Sequence, residues 1–229
     1  MLTIDIRGLD GARRYLGEAQ KQARYATAVA LTRTAQAIKA ALPAVLEREL
    51  DRPTQFTRRG IYVRPARRDY LVAEVGFQPV QARYLRLQIE GGTRTPGARG
   101  IKLPGNITLD SFGNIPRGTI DKLKAAARDG SLSTAIRKRI GEGGRRKGQG
   151  ALQLFVGKPE GRGWENAPLG IWRRIPGNPG KLVPVIVFAD KPARYRPRFH
   201  FREAALDVVR REWPVQFGRA WADAMRTAR

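Results

Sequence analysis

Residues 12–41 read ARRYLGEAQKQARYATAVALTRTAQAIKAA, with one glycine, Gly17, and no proline. Alanine is the strongest helix former, so the run predicts a long helix. Its larger apolar residues, Leu16, Leu31, Ile38 and then Leu42, recur among small ones at near-helical spacing. A stripe of alanines lets a neighbouring helix or sheet approach closely. Pro43 lacks an amide donor and is expected to kink or restart the helix, which continues over Ala44–Leu50. Upstream, Leu2, Ile4 and Ile6 alternate as a short strand would. Gly8-Leu9-Asp10-Gly11 then forms a turn in which Asp10 can cap the helix.

Strand signals follow. Ile61, Val63 and Pro65 alternate, as do Leu71, Ala73, Val75 and Phe77, and Arg67-Arg68-Asp69 between them suits a hairpin turn. Tyr84–Glu90 reads as a short helical turn ended by Gly91-Gly92. Thr93–Gly150 has Gly/Pro punctuation and few large apolar residues, with helices expected at Thr119–Arg128 and Leu132–Ile140. It ends in a Gly- and Arg-rich run, Gly141–Gly150, which suits no packed element. This segment reads as a basic arm leaving the core, one whose removal from Arg94 to Gly148 would leave a folded domain. Strands resume at Leu152–Val156, Gly170–Ile175 and Leu182–Phe188. Phe201–Arg229 is an amphipathic helix, with Trp213, Phe217 and Trp221 on its apolar stripe and Pro214 expected to bend it.

The chain has 229 residues, 44 Lys and Arg against 20 Asp and Glu, one His and no Cys. The net charge is +24, made of +5 over residues 1–60, +6 over 61–130, +11 over 131–200 and +2 over 201–229. Such a chain should meet a polyanion or an acidic protein surface, because self-repulsion otherwise penalises the compact state. Arginine outnumbers lysine 34 to 10. Guanidinium suits bidentate pairing with phosphate or carboxylate, although a GC-rich genome gives the same skew. No stretch approaches the roughly 18–20 apolar residues of a membrane span, and Met1–Arg7 lacks a signal peptide's pattern.

Candidate chemistry is sparse. Without cysteine there are no disulfides, thiolate ligands or thiol nucleophiles. His200, between Phe199 and Phe201, has no neighbouring Asp or Ser that completes a catalytic set. Glu90, Asp110, Asp121 and Asp129 are scattered, which argues against a metal nuclease unless folding gathers them. Gly143-Gly144-Arg145-Arg146-Lys147-Gly148 lacks the order of a phosphate-binding loop. Arg137, Lys138, Arg139, Arg145, Arg146 and Lys147 place six cations within eleven positions, with Glu142 between them. They suit contact with DNA or an acidic partner that does not read sequence. Trp213, Phe217 and Trp221 suit a core or a subunit interface, and Trp172, beside Arg173 and Arg174, could serve packing or stacking.

Three stretches together resemble the tail-completion or minor tail protein Z family of tailed bacteriophages and its shorter neck relatives. The first is the Gly-Leu-Asp turn with the helix containing Ala28-Val29-Ala30-Leu31-Thr32-Arg33-Thr34-Ala35. Next come Asp51-Arg52-Pro53-Thr54-Gln55-Phe56-Thr57 before a strand and Tyr84-Leu85-Arg86-Leu87-Gln88-Ile89-Glu90-Gly91-Gly92-Thr93. The third is Tyr195–Ala205, an aromatic approach to a closing helix. The resemblance implies a structural virion protein of the tail or neck, with no enzymatic activity and no cofactor, assembled in the host cytoplasm. It implies six-fold rings around the DNA channel and contacts with a tail terminator, tail tube or head–tail connector. The insertion around residues 95–150 is longer than in the short relatives.

The sequence therefore predicts one α+β domain over residues 1–229. A mainly antiparallel sheet would be packed by the long N-terminal and C-terminal helices, with 94–150 as the basic arm. Its expected work is tail completion and head–tail joining. The rivals are a sequence-independent nucleic-acid-binding protein and, behind it, a metal-dependent nuclease.

Overall fold

The computed structural model describes residues 9–97, 100–130, 133–141, 153–175 and 178–227. The chain divides into two compact units, Met1–Gly91 with Arg196–Arg229, and Gly92–Tyr195. The expected strand at Leu2–Ile6 lies outside the described residues.

In the first unit, helix α1 spans Leu9–Glu49, so Asp10 lies inside it and not at its cap. The helix runs on through Pro43. Proline forfeits one backbone bond but keeps a helical φ, and Leu42 and Leu46 on either side are both buried. Helix α2 (Gln55–Arg58) is capped by Thr54, whose hydroxyl accepts from Thr57 N at 3.2 Å. The predicted hairpin is present as β1 (Ile61–Arg64) and β2 (Glu74–Phe77), in antiparallel register from Ile61 opposite Phe77 to Arg64 opposite Glu74. Helix α3 (Pro79–Ile89) begins earlier than expected, with proline at its first position where the missing donor costs nothing. Gly91, at φ 72°, takes the left-handed turn that ends it. Helix α6 (Phe201–Thr227) continues through Pro214.

Two clusters hold these elements. Ile38, Leu42 and Leu46 of α1 meet Ile61, Leu85, Phe199 and Val208, with Phe77 and Phe201 packed against them. The three phenylalanine rings have centroids 5.5–6.0 Å apart. Further along the helix pair, Ala26 and Ala30 lie against Ala220 and Ala224, flanked by Val29, Trp213, Phe217 and Trp221.

The second unit carries β3 (Gly92–Arg94), β4 (Ile101–Pro104), α4 (Thr119–Asp129), α5 (Thr134–Arg139), β5 (Gln153–Gly157), β6 (Gly170–Ile175), β7 (Asn178–Ala189) and β8 (Ala193–Tyr195). Strand β3 pairs with β8, and a four-stranded antiparallel sheet runs in the order β4-β7-β6-β5. Gly170 has to be glycine, because a Cβ there would lie 2.5 Å from the Ile186 carbonyl oxygen. Leu123, Ala126, Ile136 and Ile140 pack on Leu154, Ile171, Val185, Ile186 and Phe188.

The α+β class and the antiparallel pairing follow the sequence reading, while the organisation differs in two respects. Residues 94–150 are not an arm, since their described part supplies β4, α4, α5 and much of one core. Their few apolar residues sit at helical spacing, Ile120, Leu123 and Ala127 on one face and Ile136 and Ile140 on another. The chain also forms two units instead of one domain, and the main sheet is packed by α4 and α5. Helices α1 and α6 pack on each other, and α1 also meets the β1–β2 hairpin.

Leu123→Ala is expected to cost about 2–5 kcal/mol, the range for emptying a fully buried leucine site. Hydrogen exchange should show faster opening of β6 and β7 than of α1 and α6. Equal loss of protection in both units would show that they melt together.

Candidate nucleic-acid and partner interface

Residues 92–195 hold 20 Lys and Arg against 7 Asp and Glu, a net +13. Arg137, Lys138 and Arg139 form the last turn of α5, where cations suit the negative end of the helix. They are not uniformly solvated. Lys138 is exposed, whereas Arg137 and Arg139 are half-buried. Arg139 and Thr108 exchange two bonds: Thr108 N donates to the Arg139 carbonyl at 2.8 Å, and Arg139 Nη1 donates to the Thr108 carbonyl at 3.1 Å. The companion triplet, Arg145, Arg146 and Lys147, lies outside the described residues.

Arg173, which the sequence reading left without a role, completes this helix end. Its register partner Leu154 is a core residue, so alternation turns Arg173 toward α5. It is 8% exposed, and its Nη1 donates to the Ile140 carbonyl at 2.9 Å. A buried arginine thus donates to a carbonyl at the helix end.

Two carboxylates of this unit are engaged by turn amides. Asp110 Oδ1 accepts from Phe112 N at 2.9 Å and Asn114 N at 2.8 Å. Glu165 accepts from its own amide and from Gly163 N, which holds its carboxyl below the ordinary value. Lys124 stands over the Phe188 ring and Arg174 over the Phe155 ring, at 5.4 and 5.1 Å. Trp172 is 3% exposed and meets Trp164 edge-on, so its ring serves packing and is not available to stack on a base.

Trp213, Phe217 and Trp221 follow one another at i, i+4 spacing along α6, with centroids 5.5 and 6.4 Å apart. One flank packs on the alanine contact with α1, and all three rings remain half-buried. His200 is exposed, 3.5 Å from Glu49 at its Nδ1. Its backbone amide donates to Glu49 Oε2 at 2.8 Å, so Glu49 caps the start of α6 from the end of α1. Burial pushes the Glu49 carboxyl up. Hydrogen bonds from Arg48 and His200 and the charges of both outweigh this, leaving its pKa below the ordinary 4.5. No local sequence pattern announces a cap supplied from 151 residues away.

Among the described residues, no three of His, Cys, Asp and Glu come together as a metal would require. None of the described helices is long and apolar enough to cross a membrane.

Arg173→Met should lower stability by about 1–3 kcal/mol, because it removes a buried hydrogen bond from a charged group to the Ile140 carbonyl. Lys138→Gln should stay within about 0.5 kcal/mol. Urea titration of both variants checks whether the helix end depends on the buried cation. For Glu49, a folded pKa below the unfolded one gives stabilisation that is complete above 4.5 and lost as pH falls through the folded value. Glu49→Gln should therefore lower stability at neutral pH and flatten its decline below about pH 5. Unfolding midpoints measured from pH 3 to 7 test this, and parallel curves for both proteins would contradict it.

No protein-family model, curated protein or solved structure matches this chain.

Proposed function

We propose that this chain is a structural virion protein of a tailed bacteriophage, completing the tail and contributing to head–tail joining as a ring subunit around the DNA channel. The observation that carries the reading is the meeting, in one unit, of stretches that resemble the tail-completion family. Thr57 of the Asp51–Thr57 stretch hydrogen-bonds through its hydroxyl to Tyr84 OH at 3.0 Å. Tyr84 opens the next stretch, whose Gln88 carbonyl accepts from Arg198 N at 2.7 Å and Phe199 N at 2.9 Å. Those two amides belong to the third stretch, more than a hundred residues downstream. Residues that are scattered in sequence thus meet at one joint. The net +13 of residues 92–195 supports a place beside packaged DNA or acidic subunits.

The second reading, a sequence-independent nucleic-acid-binding protein, draws on the same charge. It needs DNA affinity from the purified chain, steeply lost with salt. A phage carrying a stop codon early in this reading frame decides between them by electron microscopy. Separate heads and tails, or unfinished tails, rescued by the chain supplied in trans, are the expected result. Normal infectious particles, with salt-sensitive binding to two unrelated duplexes by the purified chain, would replace the assembly reading with the second.

A further inference from the structure

The turn after β1 folds over the middle of α1 and leaves a groove of about 470 Å³ between them. This lies within the roughly 300–1,000 Å³ of ordinary binding clefts. Tyr25 and Val29 of α1 and Pro65 of the turn supply apolar lining, and Arg33, Arg67 and Arg68 stand around it. Among the described residues, no carboxylate lines it. The groove is held open by fixed bonds. Thr32 Oγ1 donates to the Ala28 carbonyl at 2.8 Å and accepts from Ala66 N at 3.1 Å, pinning the turn to the helix. Arg67 and Tyr70 exchange backbone bonds at 2.9 and 3.1 Å, closing the turn. The Arg68 guanidinium lies 4.6 Å from the centre of the Tyr25 ring. Tyr25 is 37% exposed, and all three arginines are exposed.

We propose that this groove docks an acidic segment of a partner protein, one that presents apolar side chains flanked by Asp or Glu. Tyrosine and arginine are the residues enriched at protein interfaces, and guanidinium pairs carboxylate bidentately. The apolar lining decides between polyanions. A duplex offers a convex row of phosphates that would leave Tyr25, Val29 and Pro65 uncovered, whereas an apolar side chain fills the space between three cations. The inference deepens the assembly reading and rests on it for the partner being a protein.

The test uses the full-length chain and three fluorescent probes: a 14-residue peptide with Leu at helical spacing among Glu, a 14-residue poly-Glu peptide, and a 14-base-pair duplex. The Glu/Leu peptide should bind about tenfold tighter than poly-Glu. R33Q/R67Q/R68Q should weaken it about tenfold or more, while R210Q/R219Q/R226Q, the same charge change on α6, should leave it within about twofold. Ala66→Trp fills the groove without altering charge and should also weaken it about tenfold. Gln36→Trp, at an exposed lining position, serves if the melting curve shows that Ala66→Trp fails to fold. Peptide binding unaffected by the tryptophan overturns the proposal in favour of diffuse charge. Groove-dependent binding of the duplex overturns it in favour of nucleic acid. Self-association abolished by the tryptophan overturns it in favour of a second copy of this chain. A groove variant that loses the peptide yet supports full particle assembly removes the docking role and leaves the assembly reading standing. Peptide binding that meets every expectation, in a phage that assembles without this chain, removes the assembly reading alone.

Discussion

The contact on which the first unit depends is the meeting of Ala26 and Ala30 with Ala220 and Ala224, all four at most 3% exposed. Methyl groups are the smallest side chains that still exclude water, so two helices can approach here until their backbones nearly touch. A larger residue at any of the four would force the axes apart and unseat Val29, Trp213, Phe217 and Trp221 beside them. The gain per alanine is small. What the contact supplies is position, because it fixes α6 along α1 over much of its length. That alignment brings Phe199 into the core beneath Leu42 and Leu46 and sets the His200 amide on the Glu49 carboxylate.

Pairing of the first and last helices also accounts for the order of the chain. The first unit is built from both termini, so everything between Gly91 and Arg196 is an insertion within it. The insertion's own ends pair with each other as β3 and β8. It has a separate core, and a cluster of nine buried residues from two helices and three strands gives it a hydrophobic centre of its own.

Much of this was legible in the sequence, and the failures have physical causes. Long regular elements announced themselves: the alanine run of α1, the alternation of β1 and β2, and the stripe of α6. Pro43 and Pro214, which were expected to bend or interrupt their helices, lie within α1 and α6, each of which runs on as one element. The packing of Leu42 and Leu46 beside Pro43 offsets the lost backbone bond. Within residues 94–150 the two expected helices are present as α4 and α5. That they pack into a core instead of leaving it as an arm depends on contacts with β5, β6 and β7, which their few apolar residues do not announce. Three short strands, β3, β4 and β8, carry too little periodicity to be seen and exist only through their partners. The joint at Gln88 and the cap at Glu49 depend on contacts across more than a hundred residues. The groove beside Tyr25 was equally hidden, for Arg67 and Arg68 read as ordinary turn residues until the turn is laid over α1.

The arginine excess can now be divided by what each group does. At Arg173 the residue type matters, because a buried cation must donate in a fixed direction to a carbonyl, and a planar guanidinium does so while remaining charged. At Arg68 and Arg174 the guanidinium lies over an aromatic ring. Lys124 shows that an ammonium can also occupy such a position over Phe188, so stacking alone does not explain the preference. Arg210 and Arg226 pair with acids one helical turn away on an exposed face, where lysine would serve as well. Genomic composition is a sufficient account of those. Net charge therefore locates no site by itself. A site begins where several cations share a concave lining, no carboxylate answers them, and apolar surface beside them remains uncovered.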